Sequence, residues 1–109
     1  MKDRYKRMLH GLEQKEAKGR RRPKAQAWFV YILECADGTF YTGITNDLER
    51  RFEEHNTGRG ARYTRSRTPV ALRYTEDCPN RSAALIREAK IKALGRPAKE
   101  KLIADQDLG

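Results

Sequence analysis

The sequence predicts an α+β domain: a three-stranded antiparallel β-sheet flanked by helices, in the order β-β-α-β-α-α, behind a basic N-terminal helix and arm. Three observations carry this. Two β-rich runs flank Asp37-Gly38, a hairpin signal, and a third run begins at Val70. Helical patterns with caps and stops fill the intervals. The chain has 109 residues, enough for one domain and no more.

The elements follow in chain order. Asp3 is a candidate cap, and Tyr5, Met8, Leu9 and Leu12 recur at helical spacing, predicting a short amphipathic helix over 3–17. Residues 18–26 read as a linker. The domain proper spans 27–105, with a tail at 106–109. Residues 28–34 are an apolar, β-rich first strand, and 39–44 form the second. If the hairpin loop is Asp37-Gly38 alone, Glu34 faces Tyr41 and Tyr31 points to the opposite side. A loop of three or five residues sets Leu33 opposite Tyr41, and the two tyrosines then share a face as diagonal neighbours. Thr45-Asn46-Asp47 offers a cap for a helix over 47–56, with Leu48 and Phe52 on its apolar side and Asn56-Thr57-Gly58 as its stop. An arginine-rich loop comes next. Pro69 opens a third strand, Val70 to Thr75, and Asp77 to Asn80 make a turn. Residues 81–94 read as a helix ended by Gly95, and Pro97 starts a last helix through Leu102 and Ile103.

Composition excludes several classes. No apolar run approaches the roughly 20 residues of a membrane span, which argues against a membrane partner. The N-terminus has no apolar signal core, and a cytoplasmic protein is expected. Two cysteines without a CxxC pair, Cys35 and Cys78, exclude a disulfide framework and a cysteine zinc site, and two histidines make a histidine zinc site unpromising. There is no Walker phosphate loop, no dinucleotide fingerprint and no GxSxG.

The net charge is +9. It is concentrated: residues 1–26 hold 10 Lys and Arg against 3 Asp and Glu, whereas residues 27–109 hold 14 against 12. A basic arm on a near-neutral domain suits a polyanion, and Arg20, Arg21 and Arg22 are its densest part. A second basic stretch, Arg59, Arg62, Arg65, Arg67 and Arg73, has no acid within it and is interleaved with Tyr63, Thr64, Ser66 and Thr68. Guanidinium forks with hydroxyls suit phosphate oxygens.

Glu88 is the most informative acid. It falls within the apolar stripe Ala84, Leu85, Ile91 and Leu94, so its carboxylate faces the core or a cleft and needs a partner. Glu88 is then either in a structural ion pair with an arginine of the domain, or a magnesium ligand or catalytic carboxylate. Arg51 and His55, four apart, share one helix face beside Leu48.

Taken together, these residues resemble a known pattern. Val30-Tyr31-Ile32, followed by Tyr41-Thr42-Gly43, resembles the motif of the GIY-YIG nuclease superfamily. The segment from Asp47 to Asn56, with Arg51 and His55, is similar to that family's first helix. Glu88 falls where its metal-binding glutamate is expected. Gly58 to Arg65, and Lys99 to Ile103, are similar to small stand-alone bacterial members. The resemblance covers about residues 27–105. It implies a Mg²⁺- or Mn²⁺-dependent hydrolysis of DNA phosphodiester bonds, with RNA as a possible substrate, in DNA processing or repair. By position, Glu88 would hold the metal and Arg51 would clamp the phosphate. Tyr41, with Tyr31 close behind, would activate water, and His55 would bond a tyrosine or the phosphate. Arg59, Arg62, Arg65, Arg67 and Lys101 would join the arm in binding nucleic acid. Two departures stand out: Val30 replaces the first Gly, and no Asn follows Glu88 where several members have one. The domain is small and its basic residues address phosphates, so selection by structure rather than sequence is expected, from a monomer or weak homo-oligomer. The alternative is a nucleic-acid-binding or adaptor module with little catalysis of its own.

Overall fold

A computed structural model describes residues 27–108. The expected helix over 3–17, the linker, and Arg20, Arg21 and Arg22 lie outside the described residues. Within them the strands are β1 (Trp28–Glu34), β2 (Phe40–Thr45) and β3 (Ala71–Cys78). The helices are α1 (Leu48–Asn56), α2 (Arg62–Arg65), α3 (Arg81–Lys92) and α4 (Arg96–Leu108). The strands form one antiparallel sheet in the order β2-β1-β3. The expected fold class stands.

The hairpin resolves the choice between loop lengths. Glu34 pairs with Phe40 and Leu33 with Tyr41, so the loop is the five residues Cys35 to Thr39. Gly38 takes φ +85°, a left-handed conformation that suits glycine. The Asp37 carboxylate accepts from both the backbone N–H and the hydroxyl of Thr39, at 3.1 and 2.6 Å. The odd count puts Tyr31 and Tyr41 on the same face.

The central strand feeds two cores, as alternation requires. Val30 and Ile32 join Tyr74, Cys78, Ala84, Ile91 and Ile103 beneath α3 and α4. Tyr31 and Leu33 join Cys35, Leu48, Val70 and Leu72 beneath α1. A β-bulge makes this sharing possible on β3. Ile32 pairs with Tyr74 but Leu33 with Leu72, leaving Arg73 as the extra residue. Leu72 and Tyr74 would share one face of a regular strand; here they serve opposite cores.

Helices α1 and α3 begin where short polar side chains satisfy their first N–H groups. Asp47 accepts from the N–H of Arg50 at 3.2 Å, and Asn80 from that of Ala83 at 2.8 Å. Four expectations need correction. Strand β3 runs on through Cys78, so the expected turn from Asp77 shrinks to Pro79 and Asn80. The arginine-rich stretch is not all loop: Arg62–Arg65 form the single turn α2. Leu85 does not belong to a buried stripe; it is exposed, as is Ile86. Residues 106–108 are not tail but the end of α4. Gln106 explains the last point, since its side-chain amide bonds both the N–H and the carbonyl of Thr75, at 3.1 and 2.7 Å. That contact also covers part of the outer edge of β3.

Candidate active site

The α1 face of the sheet gathers four of the five expected catalytic side chains. Tyr31 comes from β1, Tyr41 from β2, and Arg51 and His55 from successive turns of α1. The tyrosine rings lie 6.4 Å apart, and the His55 ring lies 5.8 Å from Tyr31 and 5.2 Å from Tyr41.

His55 is fully buried between two hydroxyls. Its Nε2 is 2.9 Å from the Tyr31 hydroxyl and its Nδ1 is 2.7 Å from Thr64 Oγ1. Burial, reinforced by the Arg51 charge, pulls its pKa down to about 4, so the imidazole is neutral at physiological pH. Burial pushes the Tyr31 phenol up to about 12, against a hydrogen bond from Arg51 that lowers it. Two glycines make room. A Cβ at Gly43 would come within 2.5 Å of the Tyr31 hydroxyl, and one at Gly60 would overlap the His55 ring. Arg51 is about one-third exposed and donates to Glu54 at 3.0 Å, which leaves further N–H groups of its fork for a ligand.

Glu88 projects from the sheet-facing side of α3, between the buried Ala84 and Ile91. It thus belongs to the opposite layer from α1. Even so, its charge is near enough to Tyr31 to raise that phenol's pKa. The side chain is only 17% exposed and pairs with Lys92 at 3.3 Å, not with an arginine. Among the described residues no three His, Cys, Asp or Glu side chains cluster as a metal cage. A single sheltered carboxylate, with one exposed lysine as counter-ion, still fits a hard cation that keeps most of its shell as water and phosphate oxygen.

The expected phosphate-binding residues divide. Arg59, Arg62 and Arg65 are exposed on and around α2, next to Thr64. Arg67 is engaged elsewhere. It donates to Asp37 at 2.9 Å and to the Tyr63 carbonyl at 2.7 Å, and its guanidinium lies 4.0 Å from the Tyr63 ring centre. Arg73 pairs with Glu34 across the sheet. The arginine stretch therefore does have counter-charges, supplied by acids about 30 to 40 positions away. Lys101 lies on α4, which packs on the other face through Ile103, and pairs with Asp105 at 3.4 Å.

Three residues of the arginine-rich segment have site contacts that the sequence does not assign to them. Thr64 and Gly60 hold the His55 ring, and Tyr63 stacks on Tyr41 at 6.1 Å. Interleaving of hydroxyls with arginines is the only signal for Thr64 and Tyr63, and it points to phosphate rather than to histidine.

The family described as the GIY-YIG catalytic domain matches residues 27–101. A UPF0213 protein of Halobacterium salinarum is 58% identical over 73 residues, covering 67% of this chain and 95% of its own length. Another, from Natronomonas pharaonis, is 55% identical over 78 residues, covering 72% and 92%. The solution NMR structure of an E. faecalis protein is 42% identical, covers 77% of this chain and 90% of its own, and superposes with a TM-score of 0.54.

Proposed function

The chain belongs to the GIY-YIG nuclease superfamily, and from that premise we propose that it hydrolyses DNA phosphodiester bonds with a divalent metal, choosing substrates by structure in DNA processing or repair. The observation that carries this reading is the buried Tyr31–His55 pair beside Arg51, with the Glu88 charge close by.

Arg51 binds the scissile phosphate, its fork matching two oxygens while Glu54 holds its orientation. The Tyr31 hydroxyl orients the attacking water. As that water adds to phosphorus, its proton passes to the Tyr31 oxygen and the Tyr31 proton passes to His55 Nε2. A phenol near 12 is a weak free base, so the relay, rather than a standing phenolate, is the reasonable route. The incoming phosphate offsets the Arg51 charge that disfavours imidazolium. Tyr41, held by Tyr63, forms the wall beside the water. Glu88 would hold Mg²⁺ or Mn²⁺, which when bound stabilises the developing charge and the leaving oxygen. Arg59, Arg62 and Arg65 would hold the flanking backbone without reading bases.

The Glu88–Lys92 ion pair favours a second reading, a nucleic-acid-binding or adaptor module in which Glu88 is structural. Cleavage of labelled duplex, single-stranded, nicked, flap and four-way-junction DNA, and of RNA, in Mg²⁺, Mn²⁺ or EDTA separates the two. Metal-dependent cutting that is lost in Glu88→Ala, with the fold intact, is the expected result. Binding without cutting under every metal would establish the second reading.

A further inference from the structure

Thr64 touches neither the proposed substrate nor the metal, yet it is fully buried against the catalytic histidine. Its hydroxyl has one proton to give. Oγ1 lies 3.1 Å from the Ala61 carbonyl, which can only accept, and 2.7 Å from His55 Nδ1. With the proton on the carbonyl side, Oγ1 is an acceptor and Nδ1 must carry the imidazole proton.

The far end of the chain demands the same direction. Tyr31 has one proton to give, and Nε2 at 2.9 Å is the acceptor that faces it. Reversing the chain would set an Nε2–H against the Tyr31 oxygen and leave the phenol proton no acceptor among the described residues. The consistent order is Tyr31 O–H to Nε2, Nδ1–H to Thr64, and Thr64 O–H to Ala61. Gly60 leaves the imidazole room to lie on this line, where any side chain would collide with Nδ1.

We infer that Thr64 is a positioning residue: it fixes His55 as the Nδ1–H tautomer and so reserves Nε2 as the acceptor of the Tyr31 proton. The tautomer itself stands on geometry alone, and its effect on rate rests on the reaction proposed above. The role is that of the orienting member of a proton-relay chain, supplied here by a neutral hydroxyl on a one-turn helix.

The test is long-range ¹H–¹⁵N spectroscopy of the full chain labelled at histidine, with His10→Gln used to assign His55. It is read alongside cleavage kinetics on the substrate found by the panel. Wild type and Thr64→Ser are expected to show a protonated Nδ1 and an unprotonated Nε2. Thr64→Val should move the proton to Nε2 or to a mixture, with kcat falling about 100-fold and KM unchanged, and Thr64→Ser should restore kcat. An Nε2–H imidazole in wild type overturns the inference. So does an unchanged tautomer in Thr64→Val, or a changed tautomer with unchanged kcat. If Thr64→Val does not fold, the wild-type and Thr64→Ser spectra decide, since Nε2–H in either is fatal. A wild type that cuts nothing sinks the proposed reaction and leaves the tautomer measurement standing.

Discussion

Beneath α3 and α4 the sheet buries Val30, Ile32, Ile91 and Ile103, and the packing asks little of hydrogen bonds. Beneath α1 and α2 the same sheet buries Tyr31, His55 and Thr64, joined end to end by hydrogen bonds, with Arg51 at the rim. β1 serves both layers. Both layers bury apolar side chains, Leu33, Leu48 and Leu72 among them beneath α1, but that layer also carries a buried chain of hydrogen-bonded polar side chains, and this is what the contrast teaches. Burying such groups is costly, and their mutual hydrogen bonds offset the cost.

The comparison breaks most clearly at its two extremes. Arg51→Ala should lower kcat/KM for cleavage about 1,000-fold, since it removes a charge aimed at the transition state, with little change in Tm. Steady-state kinetics beside a thermal melt would show both. Ile91→Ala should do the opposite, costing about 2–5 kcal/mol of stability in urea unfolding while activity per folded molecule is retained. A shared loss of activity and stability in both variants would erase the contrast.

Acid sharpens the comparison. His55 is held near 4 in the fold against an ordinary value of 6.5. Between those values the unfolded chain binds a proton that the folded chain refuses, so the stabilising contribution is complete above pH 6.5. It is lost as pH falls toward 4, by up to about 3 kcal/mol. Urea midpoints measured from pH 7 to pH 4 should sag in wild type and sag less in His55→Gln. Equal slopes would place the cause on the carboxylates instead.

The smallest effect tests an unsatisfied hydroxyl in the layer beneath α3. Thr42 Oγ1 is buried on the α3 side without a partner among the described residues. Thr42→Val keeps its shape and removes the orphan, and should raise stability by about 0.5–1 kcal/mol without changing cleavage. A loss of stability would mean that the hydroxyl has a partner such as an ordered water.

Much of this was legible in the chain. Strand β1, the capped helix α1 and the fold class follow from alternation, a hairpin signal and short polar caps, all local features. Tyr31, Arg51 and His55 became site candidates through the resemblance to the family's motifs, not through local pattern alone. The rest depends on contacts that no local pattern encodes. The bulge at Arg73 hides how Leu72 and Tyr74 are shared between cores. Arg67 reads as a phosphate ligand because its acid, Asp37, lies 30 positions earlier. Lys101 matches a motif by position, but the turn of α4 carries it to the other layer. Thr64 has no signal of its own, because its role is defined by His55, nine positions earlier and on a different helix. That Tyr31, rather than Tyr41, is the tyrosine bonded to His55 is seen only in the distance to Nε2.

The five-residue loop between β1 and β2 carries a consequence for how this chain can vary. Removing one residue from Cys35–Thr39 would leave both strands as apolar and as β-rich as before. The four residues left could still join Glu34 to Phe40 in the same pairing. A slip of the pairing itself by one residue is different: it would turn Tyr41 through the sheet, toward α3, and bring Thr42 to the side of Tyr31. The hairpin therefore works as a counting device whose count is kept by its paired residues, and its loop is the part free to change length.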